Sequence, residues 1–380
     1  METVGRPRIV REPAELRFAE ELSALAANDS GKTPPGWNLS PGAVRRFITG
    51  SEGKQLPHVW KGESRTTEVR RKFYGDDTLI DRCIVTLLGN RGLMLVGEPG
   101  TAKSMLSEYL AAAISGTSVN TIQGTAGTTE DQIKYSWNYA LLLAEGPRPG
   151  ALVPSPLYTG LKHGRLVRFE EITRCQPEIQ DTLVSILSDK VLHVPELAGD
   201  DAVLFARKGF NVLATANIRD RGVHEMSSAL KRRFNFETVH PIADKSLELQ
   251  LVTEQTAELL REAEVQVECP LDVLDLLVTT FHDLRSGVTE EGTVVERPST
   301  IMSTAEAVAV SLSAGLDAYY FGNGVLQGEH IARQLAGTVL KDSPEDFKKL
   351  KQYFDVVVKA RARNKKAWNS YFEARKWIKG

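Results

Sequence analysis

A chain of 380 residues, 42% hydrophobic and 25% charged, has room for two or three domains and a sizeable core. Its 47 basic against 49 acidic side chains leave a net charge of −2, so the overall balance favours neither nucleic acid nor an anionic membrane as partner. Cys83, Cys175 and Cys269 are too far apart for a C-x-x-C pair, and no stretch approaches the roughly eighteen apolar residues of a membrane span, which points to a cytoplasmic protein with reduced, packed thiols.

Residues 1–70 break repeatedly at turn-formers, Asn28 to Lys32 and Pro34-Pro35-Gly36, between short helical patterns such as Pro13 to Ala27, and read as an accessory segment. From 71 to 243 strand-like apolar runs alternate with helix-like ones, the pattern of an α/β domain with a parallel sheet covered by helices. The strands expected are Leu93 to Val96, Val119 to Gln123, Leu166 to Glu170, Asn211 to Ala216 and Phe236 to Val239. Helices follow the first and third, with apolar stripes at Leu106, Leu110, Ala113, Ile114 and at Ile179, Leu183, Ile186, Leu187; each stripe predicts one face packed on the sheet.

Between the first strand and its helix lies Gly97-Glu98-Pro99-Gly100-Thr101-Ala102-Lys103-Ser104, which reads as a phosphate-binding P-loop. Curled backbone amides and a helix N-terminus make a concave site for phosphate oxygens, and Gly97 and Gly100 permit the close approach. Lys103 would reach the terminal phosphates of ATP, and the Ser104 hydroxyl would ligate Mg²⁺. Ala102 stands where glycine is usual, which requires ordinary helical or bridge dihedrals there. A simple Gly/Pro turn before a helix is the bland alternative.

Three further elements discriminate among nucleotide enzymes. The third strand ends in Glu170-Glu171, one carboxylate to hold Mg²⁺ through its shell and one to polarise the attacking water, though a surface pair at a strand end is the plainer reading. The fourth ends in Asn217, whose amide can donate to a γ-phosphate and accept from water, but strand-end Asn is also a common turn residue. Ala229-Leu230-Lys231-Arg232-Arg233-Phe234 puts arginines at a helix end, where they would reach a neighbouring subunit's nucleotide or merely cap the helix.

Residues 244–342 turn helical, with Leu274, Leu277, Phe281 and Leu284 recurring after Pro270 and another helix from Thr300 to Leu316. The segment 343–380 interleaves lysine and arginine with Tyr353, Phe354, Trp368, Tyr371, Phe372 and Trp377. Such a segment either stacks on nucleic acid or packs its aromatics on its own domain, and the second is favoured because charge runs on helices usually face water.

GEPGTAKS, FEEITRCQPEIQDTLVSIL, NVLATAN and ALKRRF resemble the P-loop, Walker B, sensor-one and arginine-finger motifs of AAA+ ATPases, nearest to the MoxR branch, whose loop typically carries that alanine. The resemblance spans about 70–340, and the N-terminal segment suggests a YehL-like subgroup. It implies a P-loop AAA+ parallel sheet flanked by helices and followed by a smaller all-helical lid. It further implies ATP and Mg²⁺ as cofactors, with nucleotide contacts from Tyr74, Gly75, Glu98, Pro99, Gly100, Thr101, Ala102, Lys103, Ser104 and Met105, and metal contacts from Ser104 and Glu170. The catalytic roles fall to Glu171, Asn217 and Arg233, with Arg232 as fallback. Gly124 to Gly164 is the expected helix-two insert and His193 to Gly209 the pre-sensor hairpin. As partners the resemblance implies further copies in a ring, as a hexamer, a von Willebrand factor A domain protein and a protein client. The sensor-two arginine is missing: Ile301 falls about where it belongs, with Arg297, Arg219 and Arg221 as substitutes. A nucleic-acid motor or loader and an ATP-gated scaffold with weak hydrolysis are the competing functions. A GTPase is disfavoured because no N-K-x-D element occurs, and a small-molecule kinase for want of an acceptor pocket.

Overall fold

The computed structural model describes residues 10–217, 223–299, 302–335, 337, 343–363 and 365–378. They form two compact units, one holding the chain up to Gly97 and Ala102–Val239, the other Glu98–Thr101 and the chain from His240.

The first unit opens with short helices, among them Ala19–Ala27 and Pro41–Thr49, followed by an unanticipated hairpin of β1 (Gln55–Trp60) and β2 (Glu63–Glu68). Its sheet comprises β3 (Gly92–Gly97), β4 (Thr121–Gln123), β7 (Leu166–Glu170), β10 (Asn211–Asn217) and β11 (Phe234–Val239), all parallel, in the order β11-β3-β10-β7-β4. All six residues of β3 are buried, as expected for a strand covered on both faces. Two antiparallel pairs are inserted: β5 (Tyr135–Trp137) with β6 (Leu152–Pro154), and β8 (Val191–His193) with β9 (Val203–Phe205). The first pair falls in the segment expected as the insert; the second begins two residues before the segment expected as the hairpin, and Glu196 joins the two pairs by accepting from Tyr135 Oη at 2.8 Å and Trp137 Nε1 at 3.4 Å.

The helix Lys103–Ser115 departs from its expected single stripe, because nearly every residue from Leu106 to Ser115 is buried. The cause is the N-terminal segment, which shares one core with the sheet unit: Phe18, Phe47 and Tyr109 meet edge to face at 5.7–6.1 Å. Buried Lys72 lies 4.4 Å from the Phe47 ring centre and pairs with Glu21, while Tyr109 ties this segment to the helix Lys103–Ser115.

The second unit is helical, with Lys245–Glu262, Leu271–Ser286, Thr304–Tyr320 and Gly328–Leu335 followed by Pro344–Tyr353 and Lys366–Glu373. Tyr353, Phe354, Trp368 and Tyr371 turn into its core beside Leu274, Phe281 and Val310, while Lys348, Lys351, Lys359 and Lys366 stay exposed. The basic aromatic segment is therefore built as an amphipathic cover of its own unit.

Glu248 staples three helices of that unit. Fully buried, it accepts from Arg285 Nη2 and Thr304 Oγ1, both at 2.6 Å, and pairs with His282. Burial alone would raise its pKa, but these donors outweigh it and hold the carboxyl at about 2 against an ordinary 4.5. Because the folded value is depressed, the stabilisation is complete above pH 4.5 and is lost as the pH falls towards 2. Glu248→Gln is expected to destabilise the protein by about 3 kcal/mol at pH 7, where Arg285 loses its counter-charge. Urea unfolding at pH 7 and pH 3 checks this, the gap between variant and wild type narrowing by about half at the lower pH.

Candidate functional site

β3 ends at Gly97, and the helix Lys103–Ser115 begins after a turn in which Thr101 Oγ1 donates to the Glu98 carbonyl at 2.9 Å and Gly100 has φ 76°. Ala102, expected at ordinary dihedrals, instead takes the left-handed region with φ 66° and ψ 21°. That conformation costs alanine roughly 1–2 kcal/mol, and it gives the alternation of backbone handedness that turns successive amides towards one concavity. Lys103 is buried and its Nζ donates to the Gly97 carbonyl at 3.1 Å, so its amine is folded back over the loop. Met105, in the first turn, packs its side chain against the core, leaving only its backbone to the loop.

Parallel register brings the strand ends together at one edge of the sheet. Asn217 pairs with Gly97 across β10 and β3, and Gln123 with Glu170 across β4 and β7. Glu170 is buried, and its Oε2 accepts from Ser104 Oγ and Thr215 Oγ1, each at 2.7 Å. Its Oε1 accepts from Ser107 Oγ at 2.5 Å and Arg168 Nη2 at 2.8 Å. Burial pushes the Glu170 carboxyl up, but the Arg168 charge and the three hydroxyl donors overcome that and hold it below its ordinary value, as a carboxylate. Ser104 and Glu170 thus present hard oxygen donors side by side, the donor chemistry that Mg²⁺ takes when phosphates supply the rest of its shell.

Glu171 follows in the left-handed region at φ 55° and ψ 44°, a conformation that a side-chain-bearing residue keeps only when its surroundings impose it. Its backbone N–H donates to Thr215 Oγ1 at 3.0 Å, its Oε1 accepts from Asn217 Nδ2 at 3.3 Å, and its other oxygen pairs with Arg174. Thr215, Ser107 and Arg168 are members of this network that sequence reasoning missed. The signal available was a lone threonine in NVLATAN and a lone arginine in LVRFE, polar residues inside otherwise apolar strands.

Arg233 lies elsewhere. It directly precedes β11, whose Phe234 pairs with Gly92 at the start of β3, and the Arg233 carbonyl accepts from Gly92 N–H at 2.9 Å. Five residue steps of β3 separate that edge from Gly97, about 16 Å along the strand. The Arg233 side chain donates to Ser188 Oγ and the Ala229 carbonyl, both at 2.9 Å, and Arg232 is exposed at the helix end. Tyr74 is half-buried under the Arg71 guanidinium, 5.8 Å from its ring centre, and Gly75 is exposed just before Asp76, which caps the helix Asp77–Leu88. Arg297 donates to the Ser286 carbonyl and so closes the end of the helix Leu271–Ser286. Arg219, Arg221 and Ile301 lie outside the described residues.

Two family models match the chain: an AAA domain of the dynein-related subfamily over residues 92–234, and a YehL-like AAA+ ATPase C-terminal domain over residues 246–379. The uncharacterized protein YehL of Escherichia coli K12 is 50% identical over 366 residues, 96% of each chain. The chain belongs to the YehL-like AAA+ ATPases. An uncharacterized protein of Staphylococcus aureus USA300 is 24% identical over 212 residues, 56% of this chain and 74% of its own. NtrX from Brucella abortus, solved in complex with ADP, is similar at a TM-score of 0.48 and 12% identity over 81% of this chain, which spans 64% of the NtrX chain. In this YehL-like ATPase the first match contains Lys103, Glu170, Glu171 and Asn217 and ends just beyond Arg233, and the second runs through the basic aromatic segment. No described helix is long and apolar enough to cross a membrane.

Proposed function

We propose that this YehL-like protein is a MoxR-type ATPase that binds ATP with Mg²⁺ at Gly97–Ser104, hydrolyses it between neighbouring copies of a hexameric ring, and uses the cycle to remodel or assemble a protein client. The observation that carries this reading is the separation of Arg233 from its own phosphate loop by the length of β3, since an arginine so placed serves a nucleotide only from the next copy. In this reading Lys103 leaves the Gly97 carbonyl to hold the terminal phosphates, and the Asn217 amide orients the attacking water for Glu171. Glu171 then accepts that water's proton. Ser104 and Glu170 would hold Mg²⁺, which would supply charge neutralisation on the phosphate oxygens. Arg233 of the adjoining copy, with Arg232 as the alternative, offsets the charge that develops on the transferring phosphoryl. A von Willebrand factor A domain protein is the partner this assignment implies.

A nucleic-acid motor is disfavoured because four of the six aromatic rings interleaved with the basic residues, Tyr353, Phe354, Trp368 and Tyr371, are buried, leaving Trp377 as the one exposed ring of that set. An ATP-gated scaffold is disfavoured because Glu171 and Asn217 are already in hydrogen-bonding contact. The test is ATPase rate per subunit against protein concentration, with mass measured in parallel. A rate that climbs as copies assemble is expected, and a concentration-independent rate from a monomer overturns the shared site.

A further inference from the structure

Arg168 is the one charged residue of β7 before its terminal Glu170, and it spends every donor it has. Its Nε donates to Ser107 Oγ at 2.9 Å, Nη1 to the Ser118 carbonyl at 3.0 Å and Thr121 Oγ1 at 3.4 Å, and Nη2 to the Ser104 carbonyl at 3.0 Å and Glu170 Oε1 at 2.8 Å. A guanidinium has five N–H groups, so none is left for a phosphate. The arginine joins the first turn of the P-loop helix to the strand that carries both carboxylates, and its side chain is only 11% exposed.

The length of Glu170 makes sense beside it. Aspartate is common in such sites, and glutamate adds a methylene that would let the carboxylate swing. Here that reach is used: Oε1 extends to Ser107 and Arg168, and Oε2 meets Ser104 and Thr215. We propose that Arg168 is a positioning residue which, with Ser107, clamps Oε1 of Glu170 so that Oε2 alone faces the Ser104 hydroxyl, and so sets the affinity of the site for Mg²⁺ in the presence of ATP. This rests on the ATP–Mg²⁺ reading above. Groups behind a ligand that orient it typically govern metal affinity by about tenfold to a hundredfold.

The experiment is calorimetric titration of ATP into the full-length protein over a range of MgCl₂, and of ADP in EDTA. Arg168→Met is expected to raise the Mg²⁺ concentration that half-restores ATP affinity by about tenfold or more, with ADP affinity in EDTA unchanged. Arg168→Lys recovers only part of this, because a point charge with three donors cannot serve five acceptors. In a Glu170→Asp background the Arg168→Met effect disappears, since the shorter side chain no longer reaches the clamp. Ser107→Ala, a smaller change, shows the same shift more weakly and serves if Arg168→Met does not fold. An unaltered Mg²⁺ dependence in Arg168→Met and Ser107→Ala, or equal losses with and without Mg²⁺, overturns the proposal while leaving the ATP–Mg²⁺ reading intact. Wild-type protein whose ATP affinity ignores Mg²⁺ overturns that reading and the proposal together.

Discussion

Arg233→Ala is expected to bind ATP as the wild type does and to hydrolyse it about a thousandfold more slowly or worse, the range seen when an arginine finger is removed. Nothing in its own subunit explains such a loss. Arg233 contacts Ser188 Oγ and the Ala229 carbonyl at the Gly92 end of the sheet, and these exposed hydrogen bonds contribute no more than about 1 kcal/mol to folding. The proposed role assigns the defect to an interface, so mixing separates it from misfolding. Arg233→Ala subunits keep Glu171, and Glu171→Gln subunits keep Arg233, so a random one-to-one mixture restores both groups at roughly a quarter of interfaces. Turnover should therefore reappear on mixing two preparations that are each inactive. Mixtures that stay silent at every ratio contradict the shared site. A wild-type rate in Arg233→Ala with a collapse in Arg232→Ala moves the role one residue back.

The elements that carry this site were legible because their signals are local. Leu166–Glu170 is bounded as expected, and the Asn211 strand gains only Asn217, since apolar runs between turn-formers mark buried strands without reference to partners. What escaped was set by neighbours remote in sequence. Thr215 looks like an isolated polar residue until the register of β10 on β7, Ala214 beside Phe169, brings it to Glu170, and Arg168, on the same face of β7 as Glu170, looks so until the helix Lys103–Ser115 packs Ser104 and Ser107 against it. The P-loop helix shows a clean stripe, yet its far side is covered by residues 10–70, whose own pattern is too broken to announce a shared core. Ala102 was misjudged for a different reason. Propensity disfavours its left-handed backbone, but the demand of a phosphate loop for convergent amides exceeds a penalty of roughly 1–2 kcal/mol. In each case the tertiary requirement overrode a correct local preference, and it did so at the site itself.

Glu171→Gln is the second large effect, and its outcome depends on what the substitution leaves alone. Glutamine has the shape of glutamate, so the left-handed turn at φ 55°, the N–H to Thr215 and an acceptor for the Asn217 amide all survive. The lost items are the negative charge, paired with Arg174, and the capacity to take a proton from water. Lys103 and Ser104 are untouched, so ATP should bind and remain on the protein through gel filtration. Hydrolysis should fall by about 10²–10⁴, the contribution of a positioned general base. Since Arg174 loses its partner, Arg174→Ala offers a contrast: it should leave the carboxylate able to accept a proton and reduce turnover less than Glu171→Gln does. Normal hydrolysis in Glu171→Gln would remove Glu171 from the role of base, and a failure to retain ATP would mean the turn had collapsed. Retained ATP with turnover nearly abolished separates binding from chemistry at this residue, as its proposed role as base requires.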